Sequence, residues 1–226
     1  MSSMRRRSEI VFLYACSTFV ALLLSAIIVE AVGANWTDVW NSLLDGSLRK
    51  PGRWGKTLGS AVPMAMVAVG TIISTKVGLI NIGQEGQMLV GAAFAAYVGA
   101  HAPGSGPIVI CLVILGGFVG GAFWSGLAGA LRYWRNVPEV LTTLLLVTVA
   151  ANLVGYGLKN TWLLLDPDAA FGNRALVGRQ LDPDSRLPRI EIFGNNFSLS
   201  VIVALFLIFL TTWVLSKTII GFKLNV

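Results

Sequence analysis

Ionisable residues are scarce in this chain. Asp, Glu, Lys and Arg together make up 12% of its 226 residues, against 55% hydrophobic ones. That share is too small to coat a soluble fold of this length. Between Gly86 and Leu131 none of the four occurs, and His101 is the only histidine. A run of that length can cross a bilayer core of about 30 Å twice, at roughly 20 residues per crossing. Cysteine is equally sparse. Cys16 and Cys111 each sit inside an apolar run, where they read as small buried hydrophobes and not as a disulfide or a thiolate metal pair. The net charge of +6 does not point to nucleic acid. The basic residues stand at the ends of apolar runs, where they set membrane orientation, and no basic face is interleaved with aromatics.

What is present is a succession of apolar runs. Ile10 to Val29 follows Arg5, Arg6 and Arg7. At twenty residues it exceeds the 7–15 of a secretory signal core, so it is expected to be a first helix with its N-terminus inside. Trp36, Val39, Trp40, Leu43, Leu44 and Leu48 share one helical face, avoided by Asp38, Asn41, Asp45 and Ser47. This predicts a short amphipathic helix over 36–48, lying in the lipid interface and ended by Pro51 and Gly52. Further spans are expected at Thr57 to Thr75, at Val77 to Ala100, at Ile108 to Leu131, at Val137 to Leu158 and at Phe197 to Ser216. Pro63 should kink or break the second of these six. Gly116, Gly117, Gly120 and Gly121 make small-xxx-small spacings suited to close helix packing, and Ser125 with Gly129 adds a third. Asn136, Pro138 and Glu139 read as the capped start of the fifth span. Residues 159–196 form a polar loop expected outside the membrane, with five basic and five acidic residues. Lys76, Arg132, Arg135, Lys217 and Lys223 fall on the inner side with Arg5–Arg7; Arg49, Lys50, Arg53 and Lys56 are the exception. The expected fold class is therefore an all-α integral membrane protein of about six transmembrane helices, with residues 1–226 forming one transmembrane domain.

Chemistry concentrates in Lys76 to Gly91, KVGLINIGQEGQMLVG. A glutamate and three amides inside an apolar run are costly in hydrocarbon unless the backbone breaks and they face protein or water. Gly78, Gly83 and Gly86 allow such a break. Two readings stand: Asn81, Gln84, Glu85 and Gln87 border a solute path at a discontinuous helix, or Glu85 caps a helix N-terminus while the amides satisfy local backbone. Asn152, mid-span, is expected to bond a neighbouring helix or a solute.

The stretch Gly78 to Ala92, G-L-I-N-I-G-Q-E-G-Q-M-L-V-G-A, resembles the signature of bacterial ABC importer permeases for simple sugars and nucleosides, especially the nucleoside branch. Pro138 to Thr143, P-E-V-L-T-T, is similar to the N-E-V-[IL]-[ST]-T helix start of that family, with Pro138 in place of its asparagine and Val147 where a later asparagine is common. Arg186-Leu187-Pro188 and Thr218 to Leu224, T-I-I-G-F-K-L, also resemble family segments. The resemblance implies a permease subunit with no covalent chemistry, cofactor or metal of its own. It implies a cytoplasmic ATP-binding subunit, a second permease subunit and an extracytoplasmic substrate-binding (lipo)protein as partners, in a bacterial inner membrane. Relatives continue past G-F-[KR]-L, so the chain is expected to be the N-terminal part of a longer permease. Glu85 is then a structural keystone near the cytoplasmic face rather than a proton carrier.

Other patterns carry less. Gly55-Lys56-Thr57 lacks the upstream glycine of a phosphate loop, since Lys50 stands there. His101 has no ligand-like neighbours. Asp166, Asp168, Asp182 and Asp184 flank prolines as turn residues and lack the glycine and distal glutamate of a calcium loop. Two rival functions stay open. An ion-coupled secondary transporter would need midplane acids, for which Glu85 is the one candidate. A branched-chain amino-acid permease of the same superfamily is the other.

Overall fold

A computed structural model describes residues 2–104, 106–167, 178–192, 194–218 and 221, with side chains from Glu9 onward. The side chains of Arg5–Arg7, Asp168 in the long loop, and residues 219–220 and 222–226 of the terminal motif lie outside the described residues. Long apolar stretches form α1 (Ser2–Ala31), α3 (Arg53–Lys76), α5 (Pro107–Arg135), α6 (Glu139–Gly157) and α7 (Leu199–Lys217). Between them lie α2 (Trp36–Leu44), α4 (Gln84–His101) and a two-stranded ribbon of β1 (Arg189–Ile192) and β2 (Asn195–Ser198). The chain divides into two compact units, residues 1–57 with 193–195 and residues 58–192 with 196–226.

In the first unit, α2 starts at Asn35, whose Oδ1 accepts from Thr37 N at 2.9 Å, satisfying one orphan donor of the first turn. The Glu30 carboxylate accepts from Trp36 N at 3.0 Å, tying α2 back to the end of α1. Trp36 and Trp40 stack with centroids 5.8 Å apart. With Phe19, Leu22, Leu23 and Ala26 they line a groove of about 340 Å³. The helix continues from Leu44 into a π turn, Asp45–Arg49, before Pro51 and the positive-φ Gly52 (φ 79°) end it. There Lys50 pairs with Asp45 at 3.6 Å, and Arg49 donates to Asn41 Oδ1 at 2.9 Å.

The second unit is organised by α4, α5 and α6. Val90, Trp124 and Ala150, one from each helix, form a buried cluster with Leu127 and Leu146 packed against it. Helices α4 and α6 run parallel: a Cβ on Gly83 would meet Thr143, and one on Gly86 would meet Val147 and Leu146. Helix α5 runs opposite to α4 along a seam of glycines. Gly116 lies against Val98, Gly117 against Ala95, Gly120 against Phe94 and Gly121 against the Gln87 carbonyl. On the α4 side, a Cβ on Gly91 would come within 2.9 Å of Gly117 O. Absent side chains allow this approach, which dispersion then stabilises in a setting without hydrophobic drive. A Cβ on Gly126 or Gly129, by contrast, would meet nothing within 4 Å.

Among the described residues, five helices are long and apolar enough to cross a membrane. None of the apolar window of α1 or α3 is buried within the protein, and only 22% of that of α6 is, so most of this surface needs a lipid solvent. This defines an all-α, multi-pass membrane protein. The expected interruption of the run Val77 to Ala100 is present: residues 77–83 are non-helical, and α4 takes up the 18 residues from Gln84, which include Gln84, Glu85 and Gln87. Two local expectations change. Pro63 does not break α3, which continues through it; one lost backbone bond in a helix of 24 residues leaves its flanking turns intact. Asn136 does not cap α6. It is the left-handed C-cap of α5 (φ 53°), a conformation that asparagine tolerates better than most residues.

In the long loop, Pro183 opens a 3-10 turn, Pro183–Ser185, consistent with turn chemistry around that D-P-D pair. The Ser185 hydroxyl accepts from Gly106 N at 3.3 Å, docking this turn on the start of α5.

Replacing Gly91 with valine should lower the thermal midpoint in detergent by the equivalent of about 1–3 kcal/mol, through overpacking of the α4–α5 seam. Gly126→Ala, facing open space, should leave the midpoint unchanged or raise it. Equal midpoints for the two variants would contradict the seam.

A polar cavity at the helix break

Helix α3 ends in a left-handed turn at Gly78 (φ 77°), whose N–H donates to Thr75 O at 3.0 Å while Leu79 N donates to Ser74 O at 2.9 Å. These bonds satisfy two of the last carbonyls of α3. The chain then runs without helix to Gly83 and re-enters α4 at Gln84. Its exposed backbone is met by side chains. Asn81 Oδ1 accepts from Gly83 N at 2.9 Å, closing a local turn, and from Gln87 Nε2 at 3.3 Å. Asn81 Nδ2 donates to Gln87 Oε1 at 3.3 Å, so the two amides face each other. Ile82 N donates to Thr143 Oγ1 at 3.3 Å, and that hydroxyl donates onward to Glu139 O at 2.7 Å. Gln84 reaches the other way, its Nε2 donating to Thr71 Oγ1 on α3 at 2.9 Å.

Glycine is required where the break meets α6. A Cβ on Gly83 would lie 2.9 Å from both Cβ and O of Thr143, and one on Gly86 would lie 3.0 Å from Val147 Cα. Gly86 also leaves room for Trp124, whose indole Nε1 donates to Leu146 O at 3.3 Å across the bundle. Glu85 projects from the first turn of α4 and is exposed, where the positive end of the helix dipole favours a carboxylate.

Thr143 marks the wall of a cavity of about 150 Å³ bounded by the break, α5 and the start of α6. Ser74, Asn81, Gln87, Ser125, Arg132, Glu139 and Thr143 supply its polar residues, and Leu79, Ile80, Ala128 and Gly129 the rest of the lining. Glu139 forms an ion pair with Arg132, which joins the end of α5 to the start of α6 across the short Asn136 turn. The pair is unevenly sheltered: the Glu139 side chain is 16% exposed and that of Arg132 49%. Glu139 therefore serves this pairing and not the reciprocal capping box expected from Asn136.

The break thus brings Gly78, Asn81, Gly83, Gln84, Gly86 and Gln87 together, and places Glu85 beside them facing outward. Asn152 is elsewhere: it is exposed on α6, and its Nδ2 donates to Thr148 O of the same helix at 2.8 Å. Sequence reasoning passed over Thr143, Trp124 and the Arg132–Glu139 pair. Thr143 lay within the P-E-V-L-T-T segment, and opposite charges flanking a three-residue turn were a further readable signal. Nothing in an apolar run marks Trp124 as a hydrogen-bond donor.

Apolar helices around an interrupted one, with amides and an ion pair bordering a cavity, define a multi-pass membrane protein. The chain belongs to the family described as branched-chain amino acid transport system / permease component, which it matches over residues 55–226. It is 26% identical over 217 residues to the glucose ABC transporter permease protein TsgB13 of Haloferax volcanii, covering 92% of this chain and 56% of that protein. It is 25% identical to the guanosine ABC transporter permease protein NupP of Bacillus subtilis, over 91% of this chain and 58% of the relative. The nucleoside ABC transporter permease protein NupB of Lactococcus lactis is 26% identical, over 90% and 56%. The chain thus spans little more than half the length of these relatives. No solved structure matches it.

The ion pair can be tested by a double-mutant cycle. Arg132→Ala strands a sheltered carboxylate and should cost about 1–2 kcal/mol of stability in detergent, less than a fully buried pair because Arg132 is half exposed. Adding Glu139→Gln should recover part of that loss. Strict additivity would show that the two groups do not interact.

Proposed function

We propose that the chain is a translocation-path subunit of an ATP-driven importer for a nucleoside or a simple sugar. The observation that carries this reading is the interrupted helix between α3 and α4, whose amides border a cavity inside the bundle of a permease-family chain. A broken helix lining a cavity is how a membrane protein holds polar groups at depth. Glucose, guanosine and nucleosides appear in the names of the relatives, and neutral amides suit weak, reversible contacts with such neutral solutes. Energy would come from a cytoplasmic ATP-binding subunit. A second permease subunit would complete the path, and an extracytoplasmic binding protein would deliver the solute.

The parallel run of α4 and α6, with α5 opposed, supports alternating crossings with Lys76, Arg132 and Arg135 on one side. That side is cytoplasmic, in a bacterial inner membrane, if basic residues keep to the inside. The amphipathic α2 and its stacked tryptophans would then lie in the outer interface. The small-residue seam at Gly116, Gly117, Gly120 and Gly121 holds α5 on α4, and Glu85 acts as a structural anchor at the inner end of α4. Asn152 stands as a path-facing candidate on the exposed side of α6. A branched-chain amino acid is the second reading, favoured by the family's description.

Reconstitution of the importer in proteoliposomes tests this. Nucleoside or sugar uptake should require internal ATP, persist with a protonophore present, and survive Glu85→Gln at the parental order of magnitude. Collapse of uptake with the proton gradient, or its loss in Glu85→Gln with normal assembly, would favour ion coupling. Competition by leucine but not by nucleoside or sugar would favour the amino-acid reading.

A further inference from the structure

The cavity beside the break has a chemistry more specific than general polarity. Its lining combines a carboxylate (Glu139), a guanidinium (Arg132), two carboxamides (Asn81, Gln87) and three hydroxyls (Ser74, Ser125, Thr143). The carboxylate only accepts hydrogen bonds, the guanidinium only donates, and the amides and hydroxyls do both. A hydroxyl group of a solute needs one donor and one acceptor at once, and neighbouring hydroxyls need them side by side. The ion pair supplies such a juxtaposition with its net charge cancelled, so a neutral ligand is not penalised. The Asn81–Gln87 contacts, both 3.3 Å long, are at the weak end of hydrogen-bond geometry. They can be exchanged for ligand hydroxyls at small cost. A cavity of about 150 Å³ holds about five waters at roughly 30 Å³ each, which is the bulk of one sugar ring.

We propose that this cavity is a subsite for a ring bearing vicinal hydroxyls, the moiety that a nucleoside shares with a simple sugar. The inference rests on the permease reading above and names what that path would grip. The base of a nucleoside would remain outside the subsite, so this cavity does not discriminate among bases. The Thr143 hydroxyl, held by Ile82 N and Glu139 O, ties the shape of the subsite to the helix break. Gly129 borders the cavity, and a Cβ there meets nothing within 4 Å, so a larger side chain enters empty space without disturbing the packing.

Saturation-transfer NMR on the whole chain in nanodiscs tests the proposal, with uridine, ribose, glucose, uracil and the dideoxy analogue of uridine as probes. Transfer to the sugar protons of uridine, and to free ribose or glucose, is expected. Uracil and the dideoxy analogue should give about tenfold less, the effect of losing one or two well-placed hydrogen bonds. Gly129→Val should abolish the sugar signal. Gly126→Val, on the same helix but outside the lining, should leave it intact. Gln87→Leu should weaken it. Equal signals from ribose and uridine would make a free sugar the source of the ring, and a much stronger uridine signal a nucleoside; either supports the subsite. Transfer confined to base protons, no transfer to any sugar, or identical behaviour of the two glycine variants would overturn it. If Gly129→Val then leaves ATP-driven uptake untouched, the subsite alone fails; if the parent chain imports neither solute, the permease reading fails with it.

Discussion

A backbone that leaves the helix within a bilayer must find partners for each freed N–H and C=O, because lipid offers none. Two N–H groups of the segment between α3 and α4 find such partners, one in the segment's own Asn81 and one in a hydroxyl from α6. Asn81 supplies an acceptor for Gly83 N, and Thr143 supplies one for Ile82 N. The second bond joins positions 61 residues apart in the chain, so part of the break's polar satisfaction comes through tertiary packing against α6.

Close approach follows from that demand. For Thr143 to reach the break, α6 must come within contact distance of the α4 backbone, and Gly83 and Gly86 are the residues that allow it. On the opposite side, Gly91 and the glycines of α5 allow a second approach of the same kind. Helix α4 is thereby held from both sides although its first turn is polar. The Arg132–Glu139 pair fastens the α5–α6 connection at the same end, and the polar space left between these fastenings is the cavity.

Much of this was readable from residue order. Apolar runs marked α1, α3, α5, α6 and α7, since twenty apolar residues in lipid have few alternatives to helix. The glycine and amide pattern of Gly78–Gln87 marked the interruption. Two features were not readable. Asn136 suits either a helix start or a left-handed helix end, and only the positive φ separates the two. Thr143 and Trp124 act across tertiary contacts that no spacing reveals; a threonine in an apolar helix ordinarily bonds its own preceding turn, as Thr142 does with Pro138 O.

The approach of α4 to α6 beside the break is most directly measured by cysteine cross-linking in native membranes. With Cys16 and Cys111 replaced by serine, Val90→Cys paired with Ala150→Cys should form a disulfide under mild oxidation, since both side chains lie in one buried cluster. Val90→Cys paired with Leu145→Cys, exposed on α6, should not. Cross-linking of the second pair in preference to the first would contradict the account.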